Sequence, residues 1–153
     1  MAHLIRIKRT SVIMPNIDAS VGHKGSNRHD DVALVQWLLN LCKITVVIGQ
    51  DSPRQGSYSF PLSVDGIFGP QTGCALTILL HSFRNWYGVS AANKIDPLVV
   101  LTGHQAMAYL NEYAALANPT LYRGLVEKKL PAGYWGMMPS ALVSGIGKPI
   151  RDI

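Results

Sequence analysis

Acidic side chains are scarce in this sequence. Nine Asp and Glu stand against fourteen Lys and Arg, a formal net charge of +5. Glycoside hydrolysis needs two carboxylates at a fixed separation, and few are available here. Asp31 and Asp65 fall in turn or cap positions, Asp96 in a weaker copy of the same pattern, and Glu112 and Glu127 in no motif. Cysteine is nearly absent too. Cys42 and Cys74 both lie on apolar helical faces, so buried thiols are the first expectation and a disulfide the second. The histidines His3, His23, His29, His81 and His104 form no His-x-x-x-His or His-Glu-x-x-His pattern. His81 sits within a helical pattern and reads as a packed or solvated side chain. His23 and His29 flank a glycine-rich stretch with Asp30 and Asp31, which reads as a polar loop leading into a helix ahead of a metal site. "GHKG" (22–25) lacks a Walker pattern. No catalytic residue, cofactor or metal is therefore expected.

No apolar run reaches the roughly 18 residues that a membrane span needs. The opening "MAHLIRIKRTSVIMPN" has basic residues but no continuous apolar region or small-residue cleavage site, so it does not read as a secretory signal. Synthesis in the cytoplasm is expected, and work outside it would need a dedicated route, lysis or a partner. The positive charge favours anionic partners. Its basic residues are scattered and form no recognition motif, so nucleic acid is not expected.

Apolar residues, by contrast, make up 48% of the chain, enough to build a core in a single domain of 153 residues. Residues 1–20 read as an extended strap or short strand. Val32–Cys42 is a helix, with Leu34, Val35, Leu38, Leu39 and Cys42 at three- and four-residue spacing. Asn27, Asp30 and Asp31 are its candidate caps. Ile44–Ile48 reads either as a short strand or as more of that helix, and "GQDSPRQGSYSF" as a loop. The stretch "VDGIFGPQTGCAL" (64–76) is the most informative. Asp65-Gly66 is a strong turn dipeptide, Ile67 and Phe68 are expected to point inward, and Pro70 suits a first helical position because its missing N–H would be unpaired there anyway. A helix from about Pro70 to Tyr87 follows, striped by Ala75, Leu76, Leu79, Leu80, Phe83 and Tyr87 and stopped by Gly88. "KIDP" (94–97) opens a degraded repeat. Thr102 and Gln105 have capping-box spacing, and Ala106, Tyr109, Leu110 and Tyr113 form an apolar face. "LYRGLVEKKLP" suits one more short helix. The Gly-, Pro- and apolar-rich end has no assignment, and its Tyr134, Trp135, Met137 and Met138 suit packing on the domain or on a partner.

The order Asp31-Val32-x-x-Val35-Gln36-x-x-Leu39, then Asp65-Gly66-Ile67-Phe68-Gly69-Pro70-x-Thr72-x-x-Ala75, resembles the bacterial peptidoglycan-binding domain family. The match spans about residues 21–113. It departs at Ile95-Asp96-Pro97, where a full turn motif would stand, and in a longer loop after the first helix. The stretch from Ser20 to Asn40 is similar to a variant found near type VI secretion and phage-like systems. The resemblance implies a mainly α, three-helix bundle at 21–113, between an N-terminal strap (1–20) and a C-terminal extension (114–153). Asp65, Gly66, Phe68, Gly69 and Pro70 are then fold-motif residues.

The implied function is non-catalytic binding of cell-wall peptidoglycan in the periplasm or wall. The alternative is a secretion- or phage-associated adaptor that keeps the fold and binds a secretion-apparatus or effector protein. Sugars are recognised by aromatic faces with polar groups around them, and peptide carboxylates by Arg and Lys. The candidate ligand residues are therefore Arg28, Trp37, Arg84, Asn85, Trp86 and Tyr87, with Gln71 and Thr72 at a helix N-terminus suited to a carboxylate. "FRNWYG" (83–88) is the densest cluster, and Trp86 and Tyr87 also read as closing the core. Trp37 lies opposite part of the Leu stripe, where exposure would mark a ligand contact.

Overall fold

The computed structural model describes residues 2–8, 10–42, 61–88, 93–99, 105–130, 138 and 140–153. The Ile44–Ile48 run, the loop after it, Thr102, His104, Tyr134, Trp135 and Met137 lie outside them.

A three-helix bundle does not describe this chain. Among the described residues there are five helices and two small sheets, a mixed α/β architecture. The strands are β1 (His3–Ile7), β2 (Val12–Asn16), β3 (Val21–Gly22), β4 (Lys94–Ile95) and β5 (Arg151–Asp152). The helices are α1 (His29–Leu41), α2 (Pro70–Tyr87), α3 (Ala106–Ala117), α4 (Pro119–Val126) and α5 (Ser140–Gly147).

The expected strap is a hairpin. β1 and β2 pair antiparallel from His3↔Asn16 to Ile7↔Val12. The far end of the chain completes that sheet, with β5 parallel to β1 in the order β2-β1-β5. Lys94-Ile95, read as a degraded turn, is instead a strand pairing with Val21-Gly22. The β1–β5 and β3–β4 ladders do not show in the sequence because two-residue runs are too brief for a period of two and their partners lie far away.

Helix α1 is the centre of the molecule. Every residue from Asp31 to Leu39 is buried, so the helix is enclosed all round rather than on one stripe. The core joins it to Leu4, Ile5, Phe83, Leu110, Leu125, Leu142 and Ile146, drawn from all three expected segments. Trp37 is only 6% exposed and belongs to this core. Both thiols are free, Cys42 buried and Cys74 half-buried. Burial pushes the Cys42 thiol up to about 12.

Caps differ from expectation in places. Arg28 is the N-cap of α1, without a side-chain bond. Asp31 instead accepts the Asp18 and Ala19 N–H groups at 3.1 Å each. Burial pushes its carboxyl above the usual range, against those two bonds. Helix α2 keeps the expected limits, with Pro70 at its start and Gly88 closing it at φ +65°. Helix α3 has Gln105 as its N-cap, not inside the first turn.

Side-chain amides join segments that no ladder connects. Asn16 Nδ2 donates to the Leu98 carbonyl and Leu98 N–H donates to Asn16 Oδ1, both at 2.9 Å. Asn40 holds Leu62 in the same two-bond manner, at 2.9 and 2.8 Å. Asn27 makes the same two bonds locally, to Gly22 at the start of its own loop. Each amide acts as one rung of a sheet.

Asn16 is buried, so losing its amide leaves a buried N–H and C=O without partners, at about 1–3 kcal/mol per group. Asn16→Ala is expected to lower urea-unfolding stability by a few such units. Asn16→Asp should not rescue it near neutral pH, because a carboxylate oxygen then faces the Leu98 carbonyl. Rescue by Asp would refute the two-bond account.

Candidate functional site

The turn before α2 is built on α1. Gln36 stands on an otherwise apolar helix with its side chain buried. Its Oε1 accepts the buried Gly66 N–H at 2.9 Å. Only an oxygen can accept there, which fixes the amide's orientation. Its Nε2 then donates to Asp65 Oδ1 at 2.9 Å, Thr72 Oγ1 at 3.0 Å and the Ile67 carbonyl at 3.1 Å. Three acceptors thus share two protons, and one amide ties the turn, the α2 N-terminus and α1 together.

Gly66 is required twice over. Its φ is +72°, and an added Cβ would stand 2.5 Å from the His29 carbonyl oxygen. Asp65 closes the turn locally, its Oδ1 accepting the Ile67 N–H at 2.9 Å. Partial desolvation pushes the Asp65 carboxyl up. The Ile67 N–H and the Gln36 amide, with a smaller pull from His29, outweigh it and hold the group below the usual carboxylate range.

The two apolar residues of the motif part company. Phe68 is half-buried against the core. Ile67, expected to point inward, is 64% exposed. With the Ile67 N–H bound to Asp65 and its C=O to Gln36, the backbone is pinned and the side chain turns out to water.

An open groove of about 440 Å³ lies over this junction, lined by Gln36, Leu62, Ser63, Asp65, Ile67, Gly69, Pro70, Gln71 and Thr72. Asp65 and Ser63 offer acceptors, and Gln71 an amide. Leu62, Ile67 and Pro70 offer apolar contact. The first turn of α2 has no acidic residue and no side-chain cap, so its dipole favours negative charge or an acceptor oxygen there.

The other expected site residues divide. Gln71 and Thr72 reach the groove, although the Thr72 hydroxyl is committed to Gln36. Trp37 does not reach it, because its ring is enclosed in the core. Arg28 is exposed at the start of α1 and is not among the groove residues. Arg84, Asn85 and Trp86 are exposed at the opposite end of α2, roughly 22 Å along the axis from Gln71 at 1.5 Å per residue. Nothing is described of the Tyr87 side chain. Sequence reading missed Gln36, Ser63 and Ile67 as site residues. A buried Gln within an apolar helical run was the available signal, since it demands partners.

Among the described residues no cluster of three metal-ligating side chains occurs, and no helix is long and apolar enough to cross a membrane. Family models, curated proteins and solved structures give no match to this chain.

Gln36→Ala strands the buried Gly66 N–H and is expected to cost about 1–3 kcal/mol. Gln36→Glu keeps the acceptor but sets a second carboxylate beside Asp65, and should cost at least as much. Asp65 carries a linked pH dependence. Its folded pKa is depressed, so its stabilisation is present above the unfolded value, about 3.9, and is lost as pH falls through the folded value. Asp65→Asn should therefore be less stable than wild type at about pH 7, with the gap closing under acid. Urea midpoints across pH measure this, and a gap independent of pH would refute it.

Proposed function

We propose that the protein is a non-catalytic recognition module for bacterial cell-wall peptidoglycan. The observation that carries the reading is the groove at the Gln36–Asp65–Thr72 junction. Its acceptors, amide and apolar rim are mixed at short range. Peptidoglycan presents the complementary set: hydroxyls and amide N–H groups for Asp65 and Ser63, carbonyl oxygens for Gln71 and the α2 N-terminus, and N-acetyl methyls for Ile67. The Gln36 amide holds these groups in place before a ligand arrives, which lowers the ordering cost of binding. The motif residues Asp65, Gly66, Phe68, Gly69 and Pro70 act by building the turn. Work at the wall requires delivery to the periplasm or beyond.

The exposed large apolar side chains among the described residues, Val12, Ile67, Trp86, Val99 and Leu116, stand on separate segments. Outside the groove, Val12, Val99 and Leu116 are single exposed apolar residues that need no partner to explain them. The adaptor reading therefore enters as an outcome of the test.

Co-sedimentation with purified sacculi at low and high salt, with muropeptide release followed in the same tube, tests the proposal. Wild-type protein is expected to pellet at both salt levels and to release nothing. Ile67→Asp changes an exposed side chain and should keep the melting temperature while weakening pelleting roughly tenfold, the loss of about 1.4 kcal/mol of contact. Release of soluble fragments would overturn the non-catalytic reading. Protein left in the supernatant would point to a secretion-apparatus or effector protein as the partner.

A further inference from the structure

We infer that a second cavity, beside the first turns of α2, is a subsite for the acetamido group of an N-acetylated hexosamine. Its volume is about 320 Å³, and it is lined by His23, Phe68, Gly73, Thr77 and Asn93. That lies within the size of small-ligand sites, roughly 300–1,000 Å³. Three segments build it. Phe68 comes from the turn, Gly73 and Thr77 stand one helical turn apart on α2, His23 follows β3 and Asn93 precedes β4. The β3–β4 ladder sets these last two side by side. Beyond the paired Gly22 and Lys94, the His23 N–H donates to the Asn93 carbonyl at 2.9 Å. Asn93 is held there at φ +29°, in a left-handed conformation that asparagine adopts more readily than most residues. The two apolar residues of the turn thus serve two cavities: Ile67 lines the groove and Phe68 lines this one.

Gly73 keeps the cavity open. It lies inside α2, where glycine weakens a helix relative to alanine. Packing does not require it. Among the described residues, an added Cβ would meet only the Phe68 ring, Cζ at 3.4 Å and Cε1 at 3.7 Å, which is ordinary van der Waals contact. What the missing methyl leaves is space between the helix and the ring. The lining then selects the ligand. The Thr77 hydroxyl donates its one proton to the Gly73 carbonyl at 2.8 Å. It therefore meets a ligand as an acceptor, and requires an N–H or O–H from it. The Asn93 amide and the His23 ring are exposed on the rim and offer N–H donors to a carbonyl oxygen. An acetamido group answers all of these: its N–H suits Thr77, its oxygen Asn93 or His23, and its methyl the gap between Gly73 and Phe68. None of the five described lining residues is a Lys, Arg, Asp or Glu, so a free peptide carboxylate finds no fixed counter-charge here. That a sugar carries the amide rests on the wall-binding reading, while the amide itself is required by the lining.

Soluble N-acetylglucosamine oligomers, followed by calorimetry and by saturation-transfer NMR, test the subsite on the full chain, with glucose oligomers of the same linkage beside them. Wild type is expected to bind the acetylated oligomer, with the strongest saturation on the acetyl methyl, and to bind the glucose oligomer roughly tenfold more weakly. Thr77→Val keeps the side-chain shape but removes the acceptor, and should weaken binding roughly five- to tenfold, the worth of one hydrogen bond. Thr77→Ser should restore it. Gly73→Ala fills the gap, so it is expected to raise the melting temperature and to weaken binding at least as much as Thr77→Val. Circular dichroism melting checks that each variant folds. No binding by wild type, equal binding of the two oligomers, or unchanged binding by Thr77→Val and Gly73→Ala would overturn the subsite. So would a lower melting temperature in Gly73→Ala, which would show that packing against Phe68 needs glycine there. Oligomer binding that depends on these residues, without pelleting on sacculi, would sink the wall reading and leave the subsite standing; pelleting without oligomer binding would do the reverse.

Discussion

One buried amide holds the arrangement around the groove. Gln36 sits within the most enclosed helix of the protein, where a polar side chain is tolerated only with its partners supplied. The Asp65–Thr72 stretch supplies all of them. That stretch has no regular structure of its own before Pro70, so it takes its shape from the amide. The outward turn of Ile67, the closeness of Gly66 to His29 and the start of α2 follow from the same four bonds. The site is a by-product of this constraint. A turn pinned from beneath leaves its remaining groups facing water in fixed positions.

The same device recurs where the chain must join distant segments without a long sheet. The ladders are short, β3, β4 and β5 having two residues each. Asn16 and Asn40 extend what such strands cannot do alone, each offering a donor and an acceptor to a single residue elsewhere, and Asn27 closes its own loop on Gly22 in the same way. Asn111 adds a third distant join, donating to the Pro15 carbonyl at 3.0 Å and accepting from the Tyr122 hydroxyl at 2.8 Å. Hairpin, helices and the loops between them are thereby drawn into one core.

What could be read from sequence was what local chemistry decides. Gly69-Pro70 and Gly88 delimit α2 because helix ends depend on a few adjacent residues. The Asp-Gly turn was legible for the same reason. Strands β3, β4 and β5 were not, since two-residue ladders carry no periodicity and β5 pairs with β1 across almost the whole chain. Trp37 misled because a stripe pattern assumes a half-exposed helix, and α1 is covered on every side. Ile67 misled because its apolar character was weighed without its backbone bonds. The aromatic end of α2 was legible as a cluster of residue types. Its division into buried Phe83, half-buried Tyr113 and exposed Trp86 depends on α3, which the sequence does not place.

A protein joined by side-chain amides carries a chemical clock. Hydrolysis of any one of them to a carboxylate swaps a donor for an acceptor without changing the size of the side chain. The altered group then faces the carbonyl it formerly bound. Asn16, Asn40 and Gln36 are each followed by a bulky apolar residue, and Asn16 and Gln36 are buried, whereas Asn27 lies in a loop. Ageing of this molecule would thus begin at the Gly22 join and reach the turn over the groove last.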